Sequence, residues 1–300
     1  MAIPYPLAEF LCFEHSRKPL PQRILLLGRQ TICFDASGLN QLAKKFGLST
    51  EGIDFSIDRN TIYSKQNADC NYISDTAFFK MLGVEHIDAI DHSDFEGANV
   101  ICDICGDIPK ELYGQFDFIF NGSVLDNVWD PPQALRNVSR LLSPKGRVVH
   151  VETATACRYN YTALSPSWYF DYYVVNNFGD CKIYVGVVDD ISRVTLDPWQ
   201  VLAFDRSAQH QPNAFTPSLG NKLGISIVLA EKTPGATCDT RPIQSYYRPD
   251  SQWADFVGKM STQFGEQRPL YLGNGATGKP IAGHDEVWVS CGWWGQRNGR

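Results

Sequence analysis

The chain has 300 residues, of which 43% are hydrophobic and 20% are charged, a composition typical of globular proteins rather than disordered ones. Its net charge is −6, and no run of Lys and Arg exceeds two residues, which argues against a nucleic-acid-binding surface. No stretch approaches the ~20 apolar residues of a membrane span, and the start does not resemble a signal peptide. Nine cysteines without framework spacing favour reduced thiols. We therefore expect a cytoplasmic protein with neither a nucleic-acid nor a membrane partner.

The first part of the chain is predicted to combine one strong strand with short helices. Residues 1–22 form an N-terminal arm with a short helix around Leu7–Phe13, and the apolar run Arg23–Gly28 predicts a strand. Residues 31–73 are polar and irregular except for one short helix closed by Gly47. The segment SDTAFFKMLG predicts a further helix that begins at Ser74 or Asp75 and ends at Gly83.

The following residues alternate between strands and helices, which indicates an α/β layer fold. The best helix is WDPPQALRNVSRLLSPKG, in which Asp130 fits the N-cap and Pro131 the first helical position. Another helix begins at Ser165. The predicted strands are Ile87–Ile90, Asn99–Cys102, Phe116–Phe120, Arg147–Ala154, Cys181–Val188 and Gly224–Lys232.

The last part of the chain carries weaker signals. A loop containing Pro198, Pro212 and Pro217 separates the last two predicted strands. From about Gly235 the sequence is rich in Gly, Pro and aromatic residues and has weak periodicity. We therefore expect one domain over residues 1–235, with residues 31–73 as an insertion, and an irregular extension over 236–300 that packs on it.

Polar residues follow three of the predicted strands directly. Asp91 follows the first, Asp103 the second and Asn121 the third. Near-continuous apolar runs are typical of parallel strands buried on both faces, and ligands bind outside the carboxyl ends of such strands. The three side chains are therefore expected to converge on one groove suited to a nucleoside-like cofactor.

The segment Gly83–Glu152 resembles a class I S-adenosylmethionine-dependent methyltransferase. The pattern FDFIFNGSVLDNVWDPPQALRNVSRLLSPKGRVV is similar to the family's passage from its fourth strand, through a helix, to a Gly turn and the fifth strand. The resemblance extends over about Arg23–Lys232. It implies a Rossmann-like, doubly wound, mostly parallel sheet with an antiparallel final strand, and S-adenosylmethionine as cofactor.

The resemblance also implies cofactor-binding residues. Asp91 stands where the family binds both ribose hydroxyls, and Asp103 where it contacts the adenine amino group, with Ile104 packing on the ring. Asn121 and Gly122 stand below the methionine part. His92 lies beside Asp91 and is a candidate neighbour of the adenine, although a histidine on a surface loop is an equally good interpretation.

The predicted first turn departs from the family pattern. The family's strand normally runs into a G-x-G-x-G turn, whereas this chain reads LLLGRQTICF and keeps only Gly28. Arg29 offers a bidentate fork for the methionyl carboxylate, and Gln30 offers a hydrogen bond at the same end. The alternative is that this turn has lost its ligand.

Acceptor-binding residues are harder to identify. Asn127 follows the fourth strand of the family pattern, Tyr161 precedes an aromatic helix, and His150 lies within a strand, where a buried core histidine is the simpler interpretation. Packing against the sheet explains most rings of that helix. The C-x-x-C at Cys102 and Cys105, with Cys102 in a buried strand, is a chance match rather than a zinc site, and GNGATGK (273–279) is a loop.

These observations predict methyl transfer to an oxygen or nitrogen of a small molecule or saccharide. They identify no catalytic residue, because an acceptor that is already nucleophilic needs no dedicated base. A catalytically inactive methyltransferase-like binding or scaffold protein is the alternative. A nicotinamide-dependent oxidoreductase is a weaker one, since it would need a dinucleotide-binding turn after Leu27 that Gly28-Arg29-Gln30 does not provide.

Overall fold

The structure is a computed structural model that describes residues 2–155, 157, 160–204, 222–244, 247, 269–279, 281 and 288–297. The strands are β1 (Ala2–Ile3), β2 (Arg23–Leu27), β3 (Thr31–Ile32), β4 (His86–Asp91), β5 (Val100–Ile101), β6 (Phe116–Gly122), β7 (Leu142–Thr153), β8 (Asp180–Val188), β9 (Trp199–Phe204), β10 (Leu223–Glu231) and β11 (Trp288–Trp294). The helices are α1 (Tyr5–Arg17), α2 (Ala36–Phe46), α3 (Ile62–Gln66), α4 (Asp75–Met81), α5 (Pro131–Leu141) and α6 (Pro166–Val175).

Nine of these strands form one mixed sheet in the order β11-β9-β8-β10-β7-β6-β2-β4-β5. The pairs β5–β4, β4–β2, β2–β6 and β6–β7 are parallel, whereas β10 is antiparallel to both β7 and β8. The predicted Rossmann-like α/β fold is therefore confirmed, and its parallel strands run from β7 to β5 in the sheet. Its antiparallel part is larger than one final strand, because β9 and β11 extend it.

Both faces of the sheet are covered, which explains the apolar runs in its central strands. Alternate residues of β2 point to opposite faces. Ile24 and Leu26 pack in the cluster that contains α1, α2 and α4, and Leu25 and Leu27 pack in the cluster that contains α5 and α6. A strand buried on both faces has no polar position, so it reads as an unbroken hydrophobic run.

The helix caps follow the predicted chemistry. The Asp130 carboxylate accepts a hydrogen bond from the Gln133 amide at the start of α5, and Pro131 occupies the first helical position. Ser165 caps α6 through the Trp168 amide, and Ser74 rather than Asp75 caps α4. Gly47 ends α2 with a φ of 66°, a left-handed conformation that glycine adopts without strain.

Three expectations about local structure were wrong. The loop expected between β8 and β10 contains β9, whose WQVLAF sequence pairs with β8 directly after Pro198; Pro212 and Pro217 lie outside the described residues. The extension 236–300, expected to be irregular, contains β11, which pairs with β9 in the main sheet. Cys102 is partly exposed and follows β5, which ends at Ile101 on the open edge of the sheet, so it does not belong to a buried strand.

Within the described residues, no helix is long and apolar enough to span a bilayer, and no group of three or more His, Cys, Asp and Glu side chains is arranged to hold a metal ion. The segment GNGATGK contains no helix, and its Gly275 and Gly278 have φ values of 70° and 60°. It is therefore a turn-rich loop, as predicted.

Candidate active site

The carboxyl ends of β4, β2 and β6 lie side by side and define the candidate site. Leu27 is in register with Ile90 on one side and with Asn121 on the other. The Gly28 amide donates to the Ile90 carbonyl at 2.8 Å, and its φ of 66° turns the chain sharply after β2. The topology thus brings Gly28, Asp91 and Asn121 to one edge of the sheet.

Asp91 presents a partly open carboxylate at this edge. Its side chain is 22% exposed, and its only described side-chain partner is His92, whose Nδ1 lies 2.7 Å from Oδ1. The His92 side chain is 83% exposed, so this contact is easily exchanged for a ligand. The carboxylate therefore keeps acceptor capacity for hydroxyl donors.

Asp103 and Ile104 lie in a turn that α5 holds in place. Asp103 Oδ1 accepts a hydrogen bond from the Cys105 amide at 2.8 Å, which is the turn-stabilising role that aspartate commonly has. Asn137 of α5 donates to the carbonyls of Ile104 and Gly106, both at 2.8 Å. Helix α5 therefore fixes the backbone of this turn. No described residue forms a hydrogen bond with Asp103 Oδ2.

Arg29 is bound within the protein. Its Nη2 contacts the Asp75 carboxylate and lies 3.2 Å from Thr76 Oγ1, and the Gln30 amide donates to the second Asp75 oxygen at 3.1 Å. Burial raises the pKa of Asp75, and the nearby Arg29 guanidinium opposes that rise. This ion pair could not be predicted from the sequence. Asp75 lies in the first turn of α4, where an acid is favoured by the helix dipole alone.

Gln30 is fully buried beneath the turn and leaves one acceptor unused. Its Nε2 donates to the carbonyls of Leu27 and Gly28, at 3.2 and 3.1 Å, whereas Oε1 has no hydrogen-bond partner among the described residues. A Cβ atom on Gly122 would lie 2.3 Å from that Oε1. Gly122 is thus required for the close approach of Gln30, and a buried free acceptor lies between the ends of β2 and β6.

A buried polar network lies behind this edge. Asn121 Nδ2 donates to His150 Nδ1 at 2.8 Å and also to Glu152, and Asn121 Oδ1 accepts from the Val124 amide at 3.1 Å. His150 Nε2 lies 2.6 Å from the Tyr173 hydroxyl. Because Nδ1 accepts, His150 is the neutral tautomer that carries its proton on Nε2. Burial accordingly lowers the pKa of His150 to about 3.

Two acids of this network, Asp126 and Glu152, were not predicted from the sequence. Glu152 accepts from the amides of Leu125 and Asp126, at 3.1 and 3.2 Å, and burial near Asp126 raises its pKa well above the usual range. Asp126 accepts from Ser123 Oγ at 2.8 Å. Together they hold the loop after β6, where Ser123 has a strained φ of 66°. Glu152 lies at the carboxyl end of a mainly apolar strand, as Asp91 does, and that was the available signal.

The predicted acceptor residues Asn127 and Tyr161 lie on neighbouring segments joined through Asp126. Asn127 Nδ2 donates to Asp126 Oδ1 at 2.9 Å, and the Tyr161 amide donates to the Asp126 carbonyl at 2.8 Å. The Tyr161 side chain is 78% exposed. Trp129, which was not predicted as a site residue, is 92% exposed on the same loop as Asn127. Two open aromatic faces therefore flank this part of the edge.

The aromatic helix α6 packs mainly into the core. Tyr169, Phe170, Tyr172 and Tyr173 are buried, and only Trp168 is half-buried. The Tyr169 ring lies 5.0 Å from the His150 ring, and its hydroxyl has no partner among the described residues. Sheet packing thus accounts for most of the helix.

The neutral, buried His150 makes a testable contribution to acid sensitivity. Its pKa is about 6.5 when unfolded and about 3 when folded, so protonation of the unfolded state costs about 2 kcal/mol of stability between pH 7 and pH 5. In urea unfolding across this range, the wild type should lose about that much more stability towards pH 5 than His150→Gln does, since the variant lacks only the imidazole. The matched control variant is His92→Gln, which replaces an exposed histidine, and an unchanged slope in His150→Gln would contradict the assignment.

A comparison with protein families identifies the family of this chain. A sequence model described as a methyltransferase domain matches residues 33–212, more than half of the chain. The chain belongs to the methyltransferase family. The predicted resemblance is confirmed, and family membership gives this methyltransferase S-adenosylmethionine as its cofactor. The matched range begins beyond the Gly28 turn, which is the part of the chain that departs from the family pattern.

Solved structures resemble this methyltransferase only distantly. A possible histamine N-methyltransferase from Thermotoga maritima shares 12% identity, covering 76% of this chain and 89% of that one, with a TM-score of 0.40. A 1,6-didemethyltoxoflavin-N1-methyltransferase from Burkholderia thailandensis shares 12% identity over 75% and 76% of the two chains (TM-score 0.35). The match to a putative Zn-dependent alcohol dehydrogenase from Rhodobacter sphaeroides spans 51% of this chain and 48% of that one, at 15% identity and a TM-score of 0.28. No curated protein matches the chain.

The residues at the edge of the sheet fit the family's cofactor. Asp91 has acceptor capacity open to hydroxyl donors, and Ile104, which is only 8% exposed, is an apolar residue of the neighbouring turn. The unused Gln30 Oε1 is a buried acceptor that suits an ammonium donor such as the one in the methionyl group. Arg29 lies next to Gln30, and its described side-chain partners are Asp75 and Thr76.

Proposed function

We propose that this methyltransferase transfers the methyl group of S-adenosylmethionine to an oxygen or nitrogen of a small molecule or saccharide. The proposal rests on one observation. Gly28, Asp91 and the Asn121-Gly122 pair converge on one edge of the sheet, in a chain that belongs to the methyltransferase family. A partly exposed carboxylate and a buried free acceptor at the same edge support a ligand with hydroxyl and ammonium donors.

The proposed residues act by binding and orientation. When bound, the cofactor supplies a methyl group already activated on a sulfonium, so the protein has to place the acceptor in line with it. Asp91 accepts hydrogen bonds from the ribose hydroxyls, Ile104 packs against the adenine, and Gln30 Oε1 accepts from the methionyl ammonium. Asp103 is assigned to the adenine amino group through its second carboxylate oxygen.

The acceptor is proposed to bind along the loop 123–130 and the segment that begins at Tyr161. Asn127 is exposed there, and the faces of Trp129 and Tyr161 suit a planar ring or the apolar face of a sugar. His150 is buried with both ring nitrogens bonded inside the protein. We therefore assign it to positioning Asn121 and Tyr173 rather than to a proton transfer with the acceptor.

Asp91→Ala should weaken S-adenosylmethionine binding by about 100-fold, because it removes an ionised acceptor from two hydroxyl donors, worth about 3 kcal/mol in total. Isothermal titration calorimetry measures this affinity directly. Asp94→Ala is the matched control, since it removes an exposed acid of the following loop and should leave binding unchanged.

The titration also separates the proposal from the scaffold alternative. A wild-type chain that releases no heat at high cofactor concentration would favour a methyltransferase-like scaffold that has lost its ligand. Wild-type affinity in Asp91→Ala would refute the site while leaving the family assignment intact.

A further inference from the structure

A cavity of about 580 Å³ lies in the helix layer, between α5 and α6. Its described lining comes from the first two turns of α5 and of α6, the Ser165 cap and the segment 240–244. This volume falls within the range of small-molecule pockets. None of the cofactor or acceptor residues assigned above is among the described lining residues, so the cavity is formed by a different set of side chains.

The segment 240–244, which lines the cavity beside α5 and α6, is preceded by residues that are hydrogen-bonded to both helices. The Tyr172 hydroxyl donates to the Cys238 carbonyl at 3.0 Å, and Asn176 exchanges two hydrogen bonds with the backbone of Thr240, at 2.9 and 3.1 Å. Arg140 of α5 pairs with Asp239 at 2.7 Å. The chain is thus fixed to both helices just before residues 240–244 pass along the groove between them.

The charge of the lining is positive although the whole chain is acidic. Arg136 and Arg241 line the cavity with one acid, Asp171. Arg136 donates through Nε and Nη2 to Gln133 Oε1, at 3.0 and 2.7 Å, which leaves its positive charge uncompensated by this neutral partner. Arg241 is exposed, and within the described residues neither guanidinium pairs with a carboxylate. Two guanidinium groups, each with N–H donors in a planar fork, therefore line one cavity.

The helix ends do not supply this anion preference by themselves. Asp130 and Ser165 already cap the first turns of α5 and α6, through the amides of Gln133 and Trp168. The arginines are therefore the groups available to a ligand anion. The rest of the lining is mainly flat and apolar, with contributions from Pro132, Leu135, Trp168, Tyr172 and Pro242.

We propose that this cavity is a second binding site, for a small organic anion that carries an apolar ring. The anionic group binds Arg136 and Arg241, and the ring lies against Trp168 and Leu135. The site is separated from the candidate cofactor turn by α5, because Asn137 on a neighbouring face of that helix holds the carbonyls of Ile104 and Gly106. This binding goes beyond the proposed methyl transfer and does not depend on it.

The test uses two matched probes that differ in one charged group. The full chain is titrated with 8-anilinonaphthalene-1-sulfonate, followed by probe fluorescence at fixed ionic strength, and with the uncharged N-phenyl-1-naphthylamine. Arg241→Ala should weaken binding of the sulfonate by about tenfold, the loss of one charge-assisted contact, and should leave the uncharged probe unaffected. Ser167→Glu should also weaken the sulfonate, because it places an acid in the cavity, and it suits the first turn of α6.

Two controls separate the cavity from a general charge effect and from the cofactor site. Arg59→Ala removes an exposed arginine distant in sequence from every described lining residue and should bind the sulfonate like the wild type. Asp91→Ala should do the same, whatever its effect on S-adenosylmethionine. The proposal is overturned if either cavity variant keeps wild-type affinity for the sulfonate, or if Arg59→Ala weakens it as much as Arg241→Ala does.

Discussion

Replacement of Arg147 by Met should lower the free energy of unfolding by about 3–5 kcal/mol, because it leaves the Glu14 carboxylate buried without its main cation. The Arg147 and Glu14 side chains are only 2% and 1% exposed and form an ion pair, and Arg147 Nη2 donates to the Pro19 carbonyl at 2.8 Å. This contact fastens α1 to the middle of β7, the strand that also carries His150 and Glu152. Urea unfolding monitored by circular dichroism measures the loss.

Two further variants identify the cause of that loss. The double variant Glu14→Met with Arg147→Met should recover most of the stability, since two apolar side chains of similar size leave no buried charge. Arg23→Met removes the partly exposed pair with Asp88 and should cost about 1 kcal/mol or less. If Arg147→Met behaved like Arg23→Met, the buried pair would not be the contact that anchors α1.

The parallel half of the sheet could be predicted because its physical signal is local. Strands such as β2 and β6 are buried on both faces and read as apolar runs, and Asp130 with Pro131 marks the start of α5 in sequence. β9 and β11 gave weaker signals. The β9 sequence WQVLAF directly follows Pro198, and the β11 sequence WVSCGWW contains a glycine and the small residues Ser290 and Cys291. Pairing with strands far along the chain therefore decides the conformation of both segments.

The candidate site could be predicted only as far as topology determines it. Strand order alone brings Gly28, Asp91 and Asn121 to one edge, so those positions followed from the sequence. The partners of each side chain did not. Arg29 meets Asp75 across the long insertion, and the fit of Gln30 against Gly122 depends on how closely two strand ends approach. Such tertiary contacts leave no periodic trace in a single sequence.

Replacement of Glu152 by Ala should lower the free energy of unfolding by about 3 kcal/mol, since it removes the acceptor of three buried donors at about 1 kcal/mol each. These donors are Asn121 Nδ2 and the amides of Leu125 and Asp126. They lie in the strand end and loop that the proposed cofactor and acceptor both approach. The same variant should therefore weaken S-adenosylmethionine binding, and calorimetry on the folded fraction measures that effect separately from chemical unfolding.

Glu152→Gln tests whether shape or charge matters at this position. Because the folded pKa of Glu152 is raised, its contribution to stability is complete below the unfolded pKa of about 4.5 and is lost as the pH rises through the folded value. The amide keeps one acceptor oxygen and cannot ionise, so Glu152→Gln should be more stable than Glu152→Ala at every pH and should lack this loss on the alkaline side. A Glu152→Gln variant as unstable as Glu152→Ala at neutral pH would mean that the loop after β6 requires the carboxylate itself, and that the network holds an ionised acid rather than a protonated one.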